Sequence, residues 1–263
     1  MVQDLNLEDC FRKLGISPSD TIMLHGDAGP LAQLRHFPAN ERSQRFVEQV
    51  EAYFMAGGGT VVVPTFSYSF TKNEVFNVQT TPSNVGSFSE IFRTHPGWRR
   101  SLNPNFSVVT RGRHEDAFAN SSFRDSFGKG TAFDLLYKLD AKIVCFGCSF
   151  NRVTFLHYLE QMRGISYRYF KKFPGTIVNG DQQIKAVARY YVRDLSIETT
   201  CDLDDLYRIS MEQGALKEAV FGRFPVASIR AKAFFSNGLA MLEADEYALI
   251  RERHNRYAHK KNG

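Results

Sequence analysis

Apolar segments and amphipathic segments alternate along the first part of this 263-residue chain. The runs TIMLH at residues 21–25 and TVVVP at residues 60–64 are continuously apolar, as in strands covered on both faces of a sheet. Between them, residues 41–55 place Phe46 and Phe54 at helical spacing, which predicts an amphipathic helix. A strand, a helix and a strand in this order predict a parallel pair of strands.

The same alternation returns further along the chain. Residues 106–112, FSVVTRG, and residues 142–147, KIVCFG, have the pattern of strands, and residues 132–139 between them predict a helix. An Asn-Gly pair inside residues 171–193 is typical of a hairpin, and the pattern after residue 205 is mostly helical. We therefore expect an α/β fold to which the hairpin adds antiparallel pieces.

Residues 65–104 interrupt this alternation. They are rich in Ser, Thr, Asn, Phe and Pro, with one short helical piece near residues 88–93. A long irregular segment of this kind usually carries functional contacts. We predict that this segment covers a pocket, and that residues 1–263 form a single domain.

The composition narrows the classes of function. The chain is 43% hydrophobic, which suffices for a large core without disulfide staples. A net charge of +5, from 33 basic and 28 acidic residues, is too mild to require nucleic acid and favours an anionic ligand such as a phosphorylated cofactor. The acidic start differs from a secretory signal, and no apolar run approaches the roughly 18 residues of a membrane span. We predict a cytoplasmic protein without membrane insertion.

Two of the four cysteines, Cys145 and Cys148, form a CxxC pair. No second pair and no nearby histidine completes a zinc site, so we expect no metal. A redox pair would normally open a helix, whereas these two lie within or at the end of the apolar run IVCFGC. We interpret them as reduced, buried strand thiols in preference to a redox centre.

One segment combines candidate chemistry with a suitable local structure. Residues 126–160 predict a loop, a helix, a buried strand, a polar turn and a second helix that carries His157 and Glu160. Residues three apart on a helix are neighbours, so this carboxylate can hold the imidazole ring. An imidazole with a pKa of about 6.5 can take a proton at neutral pH. On the residues alone, a packed core histidine beside a solvent-facing glutamate is the simpler interpretation.

Five segments in a fixed order carry a resemblance to a known family. They are MLHGDAG, GGGTVVVPTFS, RSLNPNFSVVTRG, SFGKGTAFDLLYKLDAKIVCFG and TFLHYLE. In its residues, their order and the separation of the segments, this set resembles the aminoglycoside 3-N-acetyltransferase family of antibiotic acetyltransferases. The resemblance implies a three-layer α/β/α sandwich with a mixed, mostly parallel central sheet, unlike the Gcn5-type fold. It also implies acetyl-CoA as the co-substrate.

The resemblance further implies roles for single residues. TFLHYLE matches a TSLHLAE-like run of the family, so His157 takes the role of general base for an attacking amine and Glu160 orients it. Ser107 matches a family serine at the start of a strand, where a hydroxyl could steady the thioester oxygen. A plain strand-edge serine explains Ser107 as well, because direct transfer to an amine needs no serine nucleophile.

Two groups of binding residues follow from the same resemblance. Small and hydroxylated residues suit a pantetheine arm, and a basic residue such as Lys129 or Arg100 suits phosphate. The predicted cofactor-binding residues are His25, Gly26, Asp27, Ala28, Thr65, Ser67 and Lys129. The predicted substrate-binding residues are Asn103, Asn151, Arg152, Phe66 and Tyr68. For His25, a strand-end residue with a satisfied ring is the alternative.

The chain departs from the family pattern where the acceptor would bind. Asn103 stands where the family usually has a histidine, and Asn151 stands where it has an acidic residue. Residues 65–104 hold two glutamates against three arginines, and Arg152 adds a further cation beside the predicted base. A polycationic aminoglycoside needs many carboxylates once water is displaced. The charge balance therefore favours an acceptor that carries negative charge.

Three functions follow, in order of preference. The first is acetyl transfer from acetyl-CoA to the primary amine of an amino sugar, in particular a nucleotide-linked or acidic sugar. The second is acetylation of aminoglycoside antibiotics at the 3-amino group. The third is a non-catalytic relative that binds CoA or a sugar. In each case the partner is a small molecule, and a homodimer is left open.

Overall fold

The computed structural model describes residues 6–196 and 198–251, which form ten strands and eight α-helices. In chain order the strands are β1 (Thr21–Gly26), β2 (Thr60–Pro64), β3 (Phe76–Asn77), β4 (Arg99–Arg100), β5 (Val108–Gly112), β6 (Lys142–Phe146), β7 (Arg168–Asn179), β8 (Gln182–Arg193), β9 (Leu216–Phe221) and β10 (Phe224–Arg230). The helices are α1 (Leu7–Lys13), α2 (Arg42–Ala56), α3 (Ser87–Thr94), α4 (Glu115–Ala119), α5 (Ala132–Lys138), α6 (Leu156–Arg163), α7 (Asp204–Glu212) and α8 (Ala231–Ala244). None of these helices is long and apolar enough to span a membrane.

Seven of the strands form one mixed sheet in the order β4-β5-β2-β1-β6-β10-β9. The central strands β2, β1 and β6 are parallel, with Ile22 of β1 in register with Val61 on one side and Lys142 on the other. The outer pairs, β5 with β2 and β4 and β10 with β6 and β9, are antiparallel. The predicted α/β class and the mixed sheet are therefore confirmed.

The expectation of a mostly parallel sheet is wrong. Among the described neighbours of this sheet, only β1 with β2 and β1 with β6 are parallel. Residues 222–223 join β9 to β10, and a turn of two residues can connect only antiparallel strands. The strands on both flanks thus run against their neighbours, while the centre keeps the predicted strand-helix-strand order.

Alternate residues of the central strands face two different helical layers. Ile22 and Leu24 of β1 pack in an apolar cluster with residues of α1, α2 and α3. Met23, between them, packs in a second cluster with residues of α5, α6 and α8. Both faces of each central strand are covered, which explains the continuous apolar runs and gives the three-layer sandwich that the resemblance implied.

Residues 65–104 leave β2 and contain a short 3-10 helix (Phe70–Lys72), β3, α3 and β4. β3 pairs with β7 in a second sheet, in which β7 and β8 form a long hairpin. Gly180 lies in the turn of this hairpin with φ of +58°, a conformation that glycine adopts readily. The predicted Asn-Gly hairpin is confirmed.

Hydrogen bonds from Arg100 hold residues 65–104 against the end of β2. Its buried guanidinium donates to the carbonyl oxygens of Thr65 at 2.7 Å, Thr81 at 2.5 Å and Val78 at 3.3 Å. Burial lowers the pKa of Arg100 to about 9. Because the side chain is committed to carbonyl groups inside the fold, its position does not support the phosphate contact predicted for it.

Phe46 on α2 packs against three other aromatic rings of the core. Its ring is fully buried, with centroids 5.8 Å from Phe88, 6.2 Å from Phe92 and 5.1 Å from Phe146. The substitution Phe46→Ala removes contacts that join α2 to α3 and to β6. We expect it to lower the free energy of unfolding by about 3–5 kcal/mol, measured by urea denaturation.

Met55 on the same helix supplies the matched control for this prediction. Its side chain is 38% exposed, so Met55→Ala should change the free energy of unfolding by no more than about 0.5 kcal/mol. Equal effects of the two substitutions would contradict the packing described for α2.

Candidate active site

A cavity of about 460 Å³ lies at the carboxyl ends of the three parallel strands. His25 and Gly26 line it from the end of β1, Pro64 from the end of β2, and Cys148 from the turn after β6. Ligands of α/β proteins usually bind at this edge of a sheet. The full lining is His25, Gly26, Pro64, Phe66, Asn84, Val85, Gly86, Ser89, Cys148, Asn151, Arg152, Val153, Thr154, His157 and Cys201.

Chemistry rather than size identifies this cavity as the candidate site. A larger cavity of about 740 Å³ is lined by residues of α1 and α2 together with Pro18 and His36. Among the described residues, no histidine at that larger cavity contacts a carboxylate. Of the two cavities, only the smaller one contains the predicted base, His157.

His157 and Glu160 form the hydrogen bond that their spacing predicts. Both lie on α6, and His157 Nδ1 is 2.7 Å from Glu160 Oε2. An ionised carboxylate only accepts hydrogen bonds, so this contact assigns the proton of the neutral ring to Nδ1. The lone pair then lies on Nε2, in a side chain that is 18% exposed and lines the cavity.

Glu160 is fully buried and is held by two further side chains. Arg168 Nε lies 2.8 Å from Glu160 Oε2, an ion-pair contact, and the Tyr167 hydroxyl donates to Oε1 at 3.0 Å. Burial by itself would raise the pKa of Glu160. The charge of Arg168 and the hydrogen bond from His157 outweigh burial and hold the pKa below its ordinary value. The carboxylate is therefore charged at neutral pH.

The pKa of His157 is lowered, first by burial and then by the charge of Arg168. Glu160 opposes both effects without cancelling them. An Arg168 terminal nitrogen also lies 3.2 Å from His157 Nδ1, so the guanidinium charge disfavours a second positive charge on the ring. The imidazole is thus neutral at pH 7 and able to accept a proton.

Asn151 and Arg152, two of the residues predicted to contact the acceptor, lie on the cavity wall just before α6. The side chain of Asn151 is already engaged, because its Oδ1 accepts from the Leu203 amide at 2.6 Å and its Nδ2 donates to Asp204 at 3.2 Å. Arg152 is exposed and makes no ion pair with any described residue. Arg152 is therefore the side chain of the two that can meet a ligand.

Ser107, predicted at the thioester oxygen, and Thr65 and Ser67, predicted to bind the cofactor, are buried and do not line the cavity. Ser107 Oγ donates to the carbonyl oxygen of Thr65 at 2.7 Å, and Thr65 Oγ1 donates to the carbonyl oxygen of Ser107 at 3.2 Å. Ser67 Oγ donates to the Pro104 carbonyl oxygen at 2.9 Å. These hydroxyls join the two ends of residues 65–104, and the structure brings none of them to the cavity wall.

Of the remaining predicted residues, some line the cavity and others do not. Phe66 lines the cavity, whereas Tyr68 packs on Phe66 and Phe106 with its backbone at φ of +55°. Asn103 Oδ1 accepts from the amides of Asn105 and Phe106, so it stabilises a turn. Three further residues are outside the lining, namely Asp27, Ala28 and the exposed Lys129.

The structure adds several candidate functional residues that the sequence did not predict. Arg168 and Tyr167 contact Glu160 from β7 and the residue before it, and no local spacing links them to α6. Thr154 lies in the matched TFLHYLE segment, but only the structure shows that its buried hydroxyl has no hydrogen-bond partner within residues 6–196 and 198–251. Cys148 and Cys201 also reach the cavity wall. No group of three His, Cys, Asp or Glu side chains among residues 6–196 and 198–251 could hold a metal ion.

Known proteins share this architecture. A family model described as aminoglycoside 3-N-acetyltransferase matches residues 31–243. Aminoglycoside N(3)-acetyltransferase III of Pseudomonas aeruginosa is 22% identical over 200 residues, covering 71% of this chain and 73% of the relative. The solved binary complex of AAC-IIIb with CoASH is 20% identical, with a TM-score of 0.74 over 90% of this chain and 94% of that one. AAC-VIa bound to sisomicin is 18% identical, with a TM-score of 0.74 over 90% and 95%.

Replacing Arg168 tests whether it keeps Glu160 charged. In the wild type the lowered pKa of Glu160 contributes stability above pH 4.5, and this contribution is lost as pH falls through the folded-state pKa. The substitution Arg168→Met leaves a buried carboxylate without its cation. We expect a loss of about 3–5 kcal/mol at pH 7 and a smaller loss at pH 4, measured by urea denaturation at both values.

Arg193→Met is the matched control, because Arg193 also lowers the pKa of His157 but is exposed. Its effect on unfolding should be within about 0.5 kcal/mol at both pH values. A loss for Arg168→Met that is the same at pH 7 and pH 4 would show that the arginine acts through packing alone.

Proposed function

The chain belongs to the aminoglycoside 3-N-acetyltransferase family, and from this premise we propose that it transfers the acetyl group of acetyl-CoA to a primary amine of an amino sugar. The resemblance found in the sequence is confirmed by this membership. The acyltransferase class and acetyl-CoA as the co-substrate of the family are confirmed with it. A cytoplasmic location, a single domain and a homodimer stay predictions.

The observation that carries the proposal is the neutral imidazole of His157 at the cavity, hydrogen-bonded to a buried, charged Glu160. An ammonium cannot attack a thioester, so the acceptor must first lose a proton. His157 Nε2 accepts this proton, and the carboxylate 2.7 Å from Nδ1 stabilises the imidazolium that forms. His157 then returns the proton to the sulfur that leaves, and the second proton of the attacking nitrogen passes to water as the amide forms. Acetyl-CoA supplies the activated acetyl group.

The cavity offers polar atoms that fit the arm of the co-substrate. His25 Nε2 and Thr154 Oγ1 are buried polar atoms of lining residues, and neither has a hydrogen-bond partner among the described residues. A buried polar atom without a partner costs free energy, which a ligand can recover by bonding it. Burial lowers the pKa of His25 to about 4, so its ring is neutral. These two side chains and the backbone of Gly26 would hold the amide groups of a pantetheine arm.

The charge of the lining supports an acidic acceptor. Of the described residues that line the cavity, none is an aspartate or a glutamate, and Arg152 is the basic one. A desolvated ammonium needs an anionic partner, and a phosphate or carboxylate needs a cationic one. The preferred acceptor is therefore a nucleotide-linked or carboxylated amino sugar, bound through its anionic group to Arg152.

A second acceptor class, the aminoglycosides, is favoured by the relatives. AAC-VIa has been solved bound to sisomicin, and it shares the fold of this chain. Release of CoA thiol from acetyl-CoA in the presence of an aminoglycoside panel would support this class. A third function, binding without catalysis, predicts that CoA binds while no amine is acetylated.

Removing the base should abolish most of the activity. With an acceptor found by thiol-release screening, we expect His157→Gln to lower kcat by about a hundredfold or more, because a positioned base is typically worth that factor. The acid limb of the wild-type kcat profile should have its midpoint below 6.5, since burial and Arg168 lower the pKa of His157.

His36→Gln is the control for this experiment, because His36 is exposed and does not line the cavity. Its kcat and its pH profile should match the wild type. A kcat within threefold of the wild type for His157→Gln would remove His157 from the mechanism.

Arg152 can be tested by its effect on the acceptor. We expect Arg152→Gln to raise the KM of an acidic amino sugar about tenfold, because a charge-assisted hydrogen bond contributes about 1.5–3 kcal/mol. The KM of acetyl-CoA is measured in parallel, since its phosphates are an alternative partner for Arg152.

Arg124→Gln serves as the matched variant, because Arg124 is an exposed arginine that does not line the cavity. It should leave both KM values unchanged. A rise only in the KM of acetyl-CoA for Arg152→Gln would assign Arg152 to the co-substrate and count against the acidic acceptor.

A further inference from the structure

A third cavity, of about 440 Å³, lies at the edge of the seven-stranded sheet that β4 forms. It is lined by the residues after β3, the chain between α3 and β4, β4 itself and the end of α4. Among the described residues, none lines both this cavity and the candidate active site. We propose that the third cavity binds a small organic anion through a phosphate or carboxylate group, and that this binding is separate from acetyl transfer.

The buried charge of Arg100 is the main reason for this proposal. Arg100 lines the cavity, is 8% exposed and forms no ion pair with any described residue. Its hydrogen bonds go to neutral groups, namely the Ser107 hydroxyl and the carbonyl oxygens of Thr65, Val78 and Thr81. A buried cation is costly unless an anion pairs with it. Arg100 is thus held in place at the wall, where it contributes an unmatched charge rather than a direct contact.

The neighbouring Arg93 makes this unmatched charge more costly. Burial, followed by the charge of Arg93, lowers the pKa of Arg100 to about 9, and Glu90 opposes both without cancelling them. The guanidinium of Arg100 is still charged at neutral pH. An anion near both arginines would offset their repulsion, so the potential at this wall favours an anionic ligand.

Arg93 and Arg99 supply the N–H groups that would contact the anion. Arg93 Nε donates to Glu90 Oε2 at 2.7 Å, and one of its terminal nitrogens donates to the Gln79 carbonyl oxygen at 2.8 Å. Arg99 pairs with Asp116, whose side chain is 77% exposed, and such an exposed pair contributes little. An arginine has five N–H donors, so both side chains keep unused ones. Of the described lining residues, none is an aspartate or a glutamate.

Trp98 adds a buried donor and an apolar surface to the same cavity. Its Nε1 is buried and has no acceptor within the part of the chain that the structure describes, although a buried indole N–H usually finds one. An oxygen of a ligand can recover the free energy that this missing hydrogen bond costs. The ring lies 4.9 Å from that of Phe92 between centroids, and Val78 and Leu102 extend the apolar wall. A bare inorganic ion would leave this wall uncovered, so the lining favours an organic anion.

Trp98 also provides the measurement, because it is the only tryptophan of the chain and its emission reports on this cavity. The whole protein is titrated separately with phenyl phosphate, benzoate, inorganic phosphate and the neutral analogue benzyl alcohol. We expect phenyl phosphate or benzoate to change the Trp98 emission saturably and, at a hundred times the Kd, to raise Tm by about 5 °C. Benzyl alcohol should do neither, and inorganic phosphate should bind at least about tenfold more weakly.

Substitutions of arginines locate the bound anion. We expect Arg99→Gln to raise the Kd about tenfold, because it removes a charge-assisted hydrogen bond. Trp98→Phe keeps an aromatic ring but removes the indole N–H, so the shift in Tm should show a Kd raised about fivefold. Arg113→Gln is the matched control, since Arg113 is an exposed arginine outside the lining, and it should leave the Kd unchanged. Circular dichroism spectra confirm that each variant is folded.

Arg152→Gln separates this site from the candidate active site, where Arg152 is the basic residue of the lining. It should leave the Kd of phenyl phosphate unchanged. A Kd raised by Arg152→Gln and unchanged by Arg99→Gln would place the anion in the candidate active site and overturn the inference. No saturable change with phenyl phosphate or benzoate up to about 10 mM, well above a weak millimolar Kd, would overturn it as well. Equal binding of inorganic phosphate would overturn the assignment to an organic anion. Since the titrations contain neither acetyl-CoA nor an amine, these outcomes leave the proposed function untouched.

Discussion

The buried charge of Glu160 is the constraint on which the candidate site depends. A carboxylate with no exposed surface is costly unless cations and hydrogen-bond donors surround it, and here His157, Arg168 and Tyr167 meet that need. These partners come from α6, β7 and the residue before β7. The same contacts that stabilise the core therefore fix the tautomer and the orientation of the imidazole. The geometry of the candidate site and the stability of the fold therefore have one origin in this region.

The central sheet places that imidazole beside the other groups of the cavity. Three parallel strands end together, so His25, Pro64 and Cys148 come to the same edge although they are far apart in sequence. Gly26 belongs to this arrangement, because a Cβ there would lie 2.6 Å from the ring of Phe88. Close packing of α3 against β1 is thus possible only with glycine at the strand end, where residues of the segment 65–104 also line the cavity.

The local sequence pattern predicts where the helices and strands of this fold lie better than it predicts which elements contact each other. The helix expected at residues 41–55 is observed at Arg42–Ala56, and the spacing of His157 and Glu160 predicted their contact. The sequence did not predict that the outer strands of the sheet are antiparallel, because strand direction depends on the connections between strands rather than on apolar periodicity. The sequence did not predict the role of Arg168, because Arg168 on β7 and Glu160 on α6 belong to different elements. Their contact depends on tertiary packing and produces no regular spacing in the sequence. The hydroxyls of residues 65–107 were misplaced because the side on which a hydroxyl faces is decided by tertiary packing.

The charge of the cavity also explains how chemistry and acceptor choice can change independently. Glu160 already accepts from His157 and Tyr167, is paired with Arg168, and has no exposed surface. It cannot also neutralise the ammonium groups of a polycation. Acceptor recognition must then come from the outer wall, where Asn151 is tied to α7 and Arg152 projects a positive charge. Under the proposed function, a change of wall residues alone would redirect acetyl transfer from cationic to anionic amino sugars.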